Sequence, residues 1–198
     1  MKPTLYLLLL CVASSPRHQQ HNELDIVCWQ EDRKLRWADF QATTKPVLRK
    51  EDIWPNTVLG ATTEANAVVY DLRTDTGEFV KTTVRVEFDK RKSWVNKAYY
   101  ANRKTTLIHE QLHFDIVELT GRKIRRILAR QPDSFAATIE AEITRVYAQE
   151  STLQRLCDKD TESGENLKAQ ARWQASIKKQ LDALRVYKST PADCEPPQ

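Results

Sequence analysis

The chain has 198 residues, with 31 Lys and Arg against 27 Asp and Glu, for a formal net charge of +4. That length suits one domain with terminal tails, and a hydrophobic content of 40% is enough for a core. The mixed charge is not a concentrated polycation, so composition gives no support to nucleic-acid binding.

Residues 1–15 read as an export signal. Lys2 supplies the positive charge, residues 5–13 (LYLLLLCVA) form a short apolar run, and the small residues Ala13, Ser14 and Ser15 follow. A run of roughly nine residues is too short for a bilayer, which needs about 20. A cleaved signal is therefore expected rather than an anchor, with the product periplasmic or secreted. Leu10 precedes Cys11 where a lipobox would have a small residue, which argues against lipid attachment at Cys11. No later segment is apolar enough to cross a membrane. Residues 16–24, with His18 and His21, are polar and are expected to be a disordered tail. Beyond the signal stand Cys28, Cys157 and Cys194. They allow one disulfide and one free thiol, or three simple thiols, and sequence does not name a pair.

The domain itself is expected over residues 25–188. IVCW (26–29) is short and apolar, KLRWADF (34–40) alternates, and residues 67–74 (AVVYDLRT) and 82–89 (TTVRVEFD) are rich in β-branched and aromatic residues. The last two should form a hairpin about a turn at Gly77, within an antiparallel sheet of three or four strands. From about Ser93 to Arg130 helix formers dominate, and no Pro interrupts until Pro132. A second helix is expected from a cap at Asp133 or Ser134 to about Cys157, then a polar loop over 158–166, then a third helix over Leu167–Val186. Residues 189–198 form an irregular, Pro-containing tail. The fold class is thus α+β: a small antiparallel sheet in the N-terminal half, then a helical half. The five tryptophans, Trp29, Trp37, Trp54, Trp94 and Trp173, suit core or interface positions.

The chemistry concentrates in HEQLH, residues 109–113. At about 100° per residue, His113 falls about 40° from His109, and both lie in the arc of Leu112, Ile116 and Leu119 that faces the interior. Arg122, Arg125 and Arg126 fall mostly outside it. Two core-facing imidazoles on adjacent turns are hard to satisfy separately, since an unsatisfied buried polar group costs about 1–3 kcal/mol. They can share one Zn²⁺, with Glu110 beside them as general base. The alternative is two structural histidines. A catalytic zinc has three protein ligands, and the third is open: a carboxylate, a cysteine, a tail histidine folded back, or none. Glu142 falls inside the apolar stripe of the second helix and is a candidate; Glu150 lies at its edge.

Four segments resemble the DUF922 family of exported bacterial zincin-like proteins. They are LRWADF (35–40), SWV (93–95), HEQLHFDIVELTGRKIR (109–125) and CDKDTESGENLKAQARWQ (157–174). The resemblance implies a zincin-like domain over 25–188 and a zinc-dependent metallopeptidase acting on a peptide or protein substrate. It makes His109 and His113 zinc ligands and Glu110 the catalytic glutamate. Phe114, Asp115 and Glu118 belong to the same motif; Asp115 could orient a histidine or pair with an Arg, and Glu118 is expected to be solvated or salt-bridged. One departure matters. The family's late element carries His before Gly, and this chain carries Ser163 before Gly164. Glu142, Asp158, Asp160, Glu162 or Cys157 would have to substitute, or the chain is a non-catalytic envelope or secreted binding protein on the same scaffold.

Overall fold

A computed structural model describes residues 25–46, 60–73, 79–100, 103–130 and 137–194. The expected signal, Cys11, His18, His21, Trp54, the Gly77 turn, the Asp133 or Ser134 cap and the last four residues lie outside them. The described chain is α+β. A three-stranded antiparallel sheet has the order β1 (Ile26–Cys28), β4 (Phe79–Asp89), β3 (Ala65–Arg73), and β2 (Ala61–Thr62) pairs with β5 (Trp94–Val95). Helix α1 (Lys97–Tyr100) is one turn; α2 (Lys104–Leu128), α3 (Ala137–Thr161) and α4 (Leu167–Ala183) make the helical half. No helix among the described residues is long and apolar enough to cross a membrane.

The hairpin forms where β-branched residues predict it, with Val69 opposite Val84 and Ala67 opposite Val86. The inward side chains Val84, Val86 and Phe88 meet Phe114, Val117 and Ile124 of α2 and Ile139, Ile143 and Val146 of α3 in one core cluster. Rings step through this core from Trp37 to Phe40 to Phe88 to Phe114, with successive centroids 5.2, 5.2 and 5.8 Å apart. On its opposite side α2 buries Leu112, Ile116 and Leu119 against Cys157, Ile177, Leu181 and Leu184. α2 is therefore covered on two faces. A glycine makes this possible: a Cβ on Gly121 would lie 2.4 Å from Val86 Cγ2, so only hydrogen lets the helix sit this close to β4.

Three expectations are corrected. Residues 34–40 are not a strand. Asp39 accepts from Arg36 N at 2.7 Å and takes both guanidinium nitrogens of Arg33 at 2.7 and 3.0 Å, closing a 3-10 turn over Trp37–Asp39. Such local side-chain bonds compete with a ladder. Trp94–Val95 does not begin a helix but pairs with Ala61–Thr62. Ser93, fully buried, accepts from Glu64 N at 3.0 Å and holds that strand start in place. Residues 158–161 are not loop; they are the last turn of α3.

Candidate metal centre

α2 and α3 run antiparallel. The charged and polar residues between them pair in descending register: His109 and His113 with Asp158, His113 with Gln154, and Arg130 with Glu142 at the far end. The i, i+4 spacing of His109 and His113 stacks them on one face of α2, and the i, i+4 spacing of Gln154 and Asp158 does the same on α3.

Three donor atoms meet there. His109 Nε2 and His113 Nε2 are 3.0 Å apart, and Asp158 Oδ1 is 3.0 Å from the first and 2.9 Å from the second. The imidazole rings are nearly perpendicular, at 85°, with centroids 4.5 Å apart. His109 is 2% exposed, whereas Asp158 keeps about a third of its side chain exposed (35%), so the site opens to solvent on the Asp158 side. These three residues could hold a metal ion.

The surroundings fix the side chains of this cluster. Gln154 Oε1 contacts His113 Nδ1 at 2.5 Å, and Gln154 Nε2 donates to the His113 carbonyl at 3.2 Å. The amide oxygen accepts only, so it keeps a proton on Nδ1 and leaves Nε2 facing the cluster. Thr161 Oγ1 lies 3.4 Å from His109 Nδ1 and donates to the Cys157 carbonyl at 2.7 Å. After Thr161 the chain turns through Glu162 and Ser163, both at φ 53°, and Gly164 at φ 90°. A Cβ on Gly164 would stand 2.9 Å from His109 Cβ, so this turn packs directly on the histidine. Asn166 then accepts from Ala169 N at 3.1 Å and caps α4. Glu110 is buried, and Thr63, between β2 and β3, donates to its Oε2 at 2.7 Å. The Glu110 charge reaches His113.

Electrostatics favour a cation between these groups. Burial alone would lower the His113 pKa, but the charge and hydrogen bond of Asp158 overcome it and raise it to about 9. Burial likewise pushes Asp158 up, and the two imidazoles outweigh it and hold the carboxyl well below its usual range. Two ring N–H groups can each point at Asp158 Oδ1, but that sets their hydrogens against each other between Nε2 atoms 3.0 Å apart; a divalent ion would use all three donor atoms. Two imidazole nitrogens and a carboxylate oxygen at about 2.0–2.1 Å from Zn²⁺ would be about 3.3 Å apart in a regular tetrahedron, a few tenths of an ångström wider than found here. A fourth position would stay open.

Of the carboxylates and thiol expected to replace the absent histidine, Asp158 is brought to His109 and His113. Glu142 is not: it is 3.9 Å from Arg130 at the far end of the helix pair, with 43% of its side chain exposed. Asp160 accepts from Trp173 Nε1 at 3.2 Å, and Glu162 is exposed. Cys157 points into the second core cluster, and burial with the Asp158 charge pushes its thiol up to about 12. Among the described residues Asp115 orients no histidine and pairs with no Arg; it accepts from Trp29 Nε1 and Gln111 Nε2, both at 2.8 Å. Glu118, expected to be solvated or salt-bridged, is salt-bridged: it is fully buried and bonded to Arg122 Nε at 2.7 Å and to Ser189. Arg122, expected off the interior face, is 3% exposed. Gln154 was not singled out in the sequence, although its place one turn before Asp158 was a signal for it. Thr63 carried no signal at all. Comparison with protein-family models, curated proteins and solved structures returned no match.

Proposed function

We propose that the chain is a metal-dependent hydrolase, most simply a zinc peptidase with a zincin-like domain. The observation that carries this is the meeting of His109 Nε2, His113 Nε2 and Asp158 Oδ1 within 3.0 Å of one another, on a helix turn that also bears Glu110. His109, His113 and Asp158 would hold the ion, with Zn²⁺ the first candidate for two imidazoles and a carboxylate. When bound, the ion supplies Lewis-acid polarisation of a scissile carbonyl and a water acidic enough to act near neutral pH. Glu110 is the general base: it takes the proton of the attacking water and passes it to the leaving amine. Thr63 holds Oε2 of that carboxylate and leaves the other oxygen for the proton. Gln154 keeps His113 in the tautomer that ligates through Nε2. Among the described residues β3 has a strand partner on one side only, so its other edge offers an extended peptide a place to pair.

The non-catalytic alternative drew on the absence of histidine at position 163. Asp158 supplies the third donor that this absence put in doubt, which favours the hydrolase. The test is metal content of the purified chain, followed by hydrolysis of a mixed peptide library by the wild type and by Glu110→Gln. About one zinc per chain is expected in both. Activity should fall in the variant by about 10²–10⁴-fold, the usual worth of a general base. Full metal with undiminished activity in Glu110→Gln would remove this mechanism. Substoichiometric metal and no hydrolysis by the wild type would favour the binding protein.

A further inference from the structure

Away from the histidines, two thiols from opposite ends of the domain meet. Cys28 ends β1, opposite Glu87 of β4. Cys194 ends a short 3-10 turn over Pro191–Cys194. The chain leading to that turn is tied to α2: Arg125 donates to the Tyr187 carbonyl at 3.0 Å and to Ser189 Oγ at 2.8 Å, and Ser189 N donates to Glu118 at 3.0 Å. This anchoring lays the turn on β4, the strand that pairs with β1, and sets Cys194 near enough to Cys28 for each thiol to act on the other, both in the field of Arg85. Each is half-buried, whereas Cys157 is fully buried in the other core cluster.

We propose that Cys28 and Cys194 are a disulfide pair that fastens the C-terminal turn to β1, and that Cys157 stays outside the exchange. The pairing joins residues 166 positions apart, by subtraction of their numbers. With a low-molecular-weight disulfide as oxidant, the thiolate of one cysteine attacks one of its sulfurs, forms a mixed disulfide and releases one small thiolate. The other cysteine then gives up its proton and attacks the protein sulfur of that mixed disulfide, releasing the second. Two protein thiols are oxidised and one small disulfide is reduced to two thiols. None of this involves the histidine cluster, so the pairing stands or falls apart from the hydrolase proposal.

The experiment uses the full chain, reduced and then incubated with oxidised glutathione, alkylated in denaturant and cut with trypsin. Cleavage isolates Cys28 in residues 18–33, Cys194 in residues 189–198 and Cys157 in residues 156–159. The expected result is loss of two thiols per chain and a linked 18–33/189–198 peptide, with residues 156–159 recovered alkylated. In Cys28→Ser and in Cys194→Ser, glutathione should accumulate on the remaining thiol of the pair. Cys28 and Cys194 each carrying glutathione in the wild type, either one linked to Cys157, or both recovered alkylated would overturn the pairing. These readouts need no variant, so a misfolded serine mutant does not decide the matter.

Discussion

Asp158 and Gln154 carry the most information per residue. Both histidines were legible from spacing alone, because an i, i+4 pair on an apolar arc admits few arrangements. Asp158 was legible only as one of several acids near the missing histidine, since its value depends on α3 running one turn further than its polar composition suggests. Asp158→Asn keeps the shape but removes the charge. Zinc affinity should fall by more than about 100-fold, beyond the 10–100-fold typical of losing a group that merely supports a ligand, with the far-UV circular dichroism unchanged. Gln154→Leu should lie within that 10–100-fold range, because His113 keeps its nitrogen but loses the acceptor that fixes its tautomer. Competition titration with a chromophoric chelator measures both. Equal losses would mean that Asp158 does not touch the ion.

At the scale of elements, α2 is where helical periodicity misleads. A single apolar arc leaves Glu118 and Arg122 outside the core, yet both are buried. The helix is covered by the sheet on one side and by α3 and α4 on the other, so Glu118 and Arg122 are enclosed while Ile108 and Arg126 stay exposed. Periodicity reports one apolar stripe; it cannot report a second contact whose polar residues satisfy one another. Glu118 takes Arg122 Nε, Ser189 N and Ser189 Oγ, and Arg122 in turn donates to the Leu181 carbonyl at 2.7 Å. Glu118→Ala strands that guanidinium in the core. It should cost about 3–5 kcal/mol in denaturant unfolding. Glu142→Ala, at an exposed pair 3.9 Å from Arg130, should cost less than about 1 kcal/mol. A small loss in Glu118→Ala would mean that water reaches Arg122. By contrast, the antiparallel pairing of β3 with β4 was readable, because one buried face enforces a two-residue period.

For the whole molecule, a metal held as proposed would compete with the proton for the same place, which sets opposite pH trends for the two forms. In the metal-free protein the His113 pKa is raised from 6.5 to about 9. A raised folded-state pKa contributes stability that is fully present below about pH 6.5 and disappears as pH climbs through about 9. The depressed carboxyl of Asp158 works on the other side: its contribution is present above its usual range and is lost as pH falls through its lowered pKa. Both are one interaction, worth on the order of 3 kcal/mol and counted once. The metal-free chain should therefore be less stable at pH 8.5 than at pH 6, by thermal denaturation after chelation and dialysis. A bound divalent ion needs both imidazoles neutral, so its affinity should rise over the same interval. Zinc held at about 100 times its dissociation constant adds about 2.7 kcal/mol, or roughly 5–10 °C of melting temperature for a chain of this length. At a fixed free zinc concentration the gap between metal-bound and metal-free melting temperatures should widen from pH 6 to 8.5. A gap that stays constant would show that binding releases no proton from His113, and the ion would then have to sit somewhere other than between the two imidazoles and Asp158.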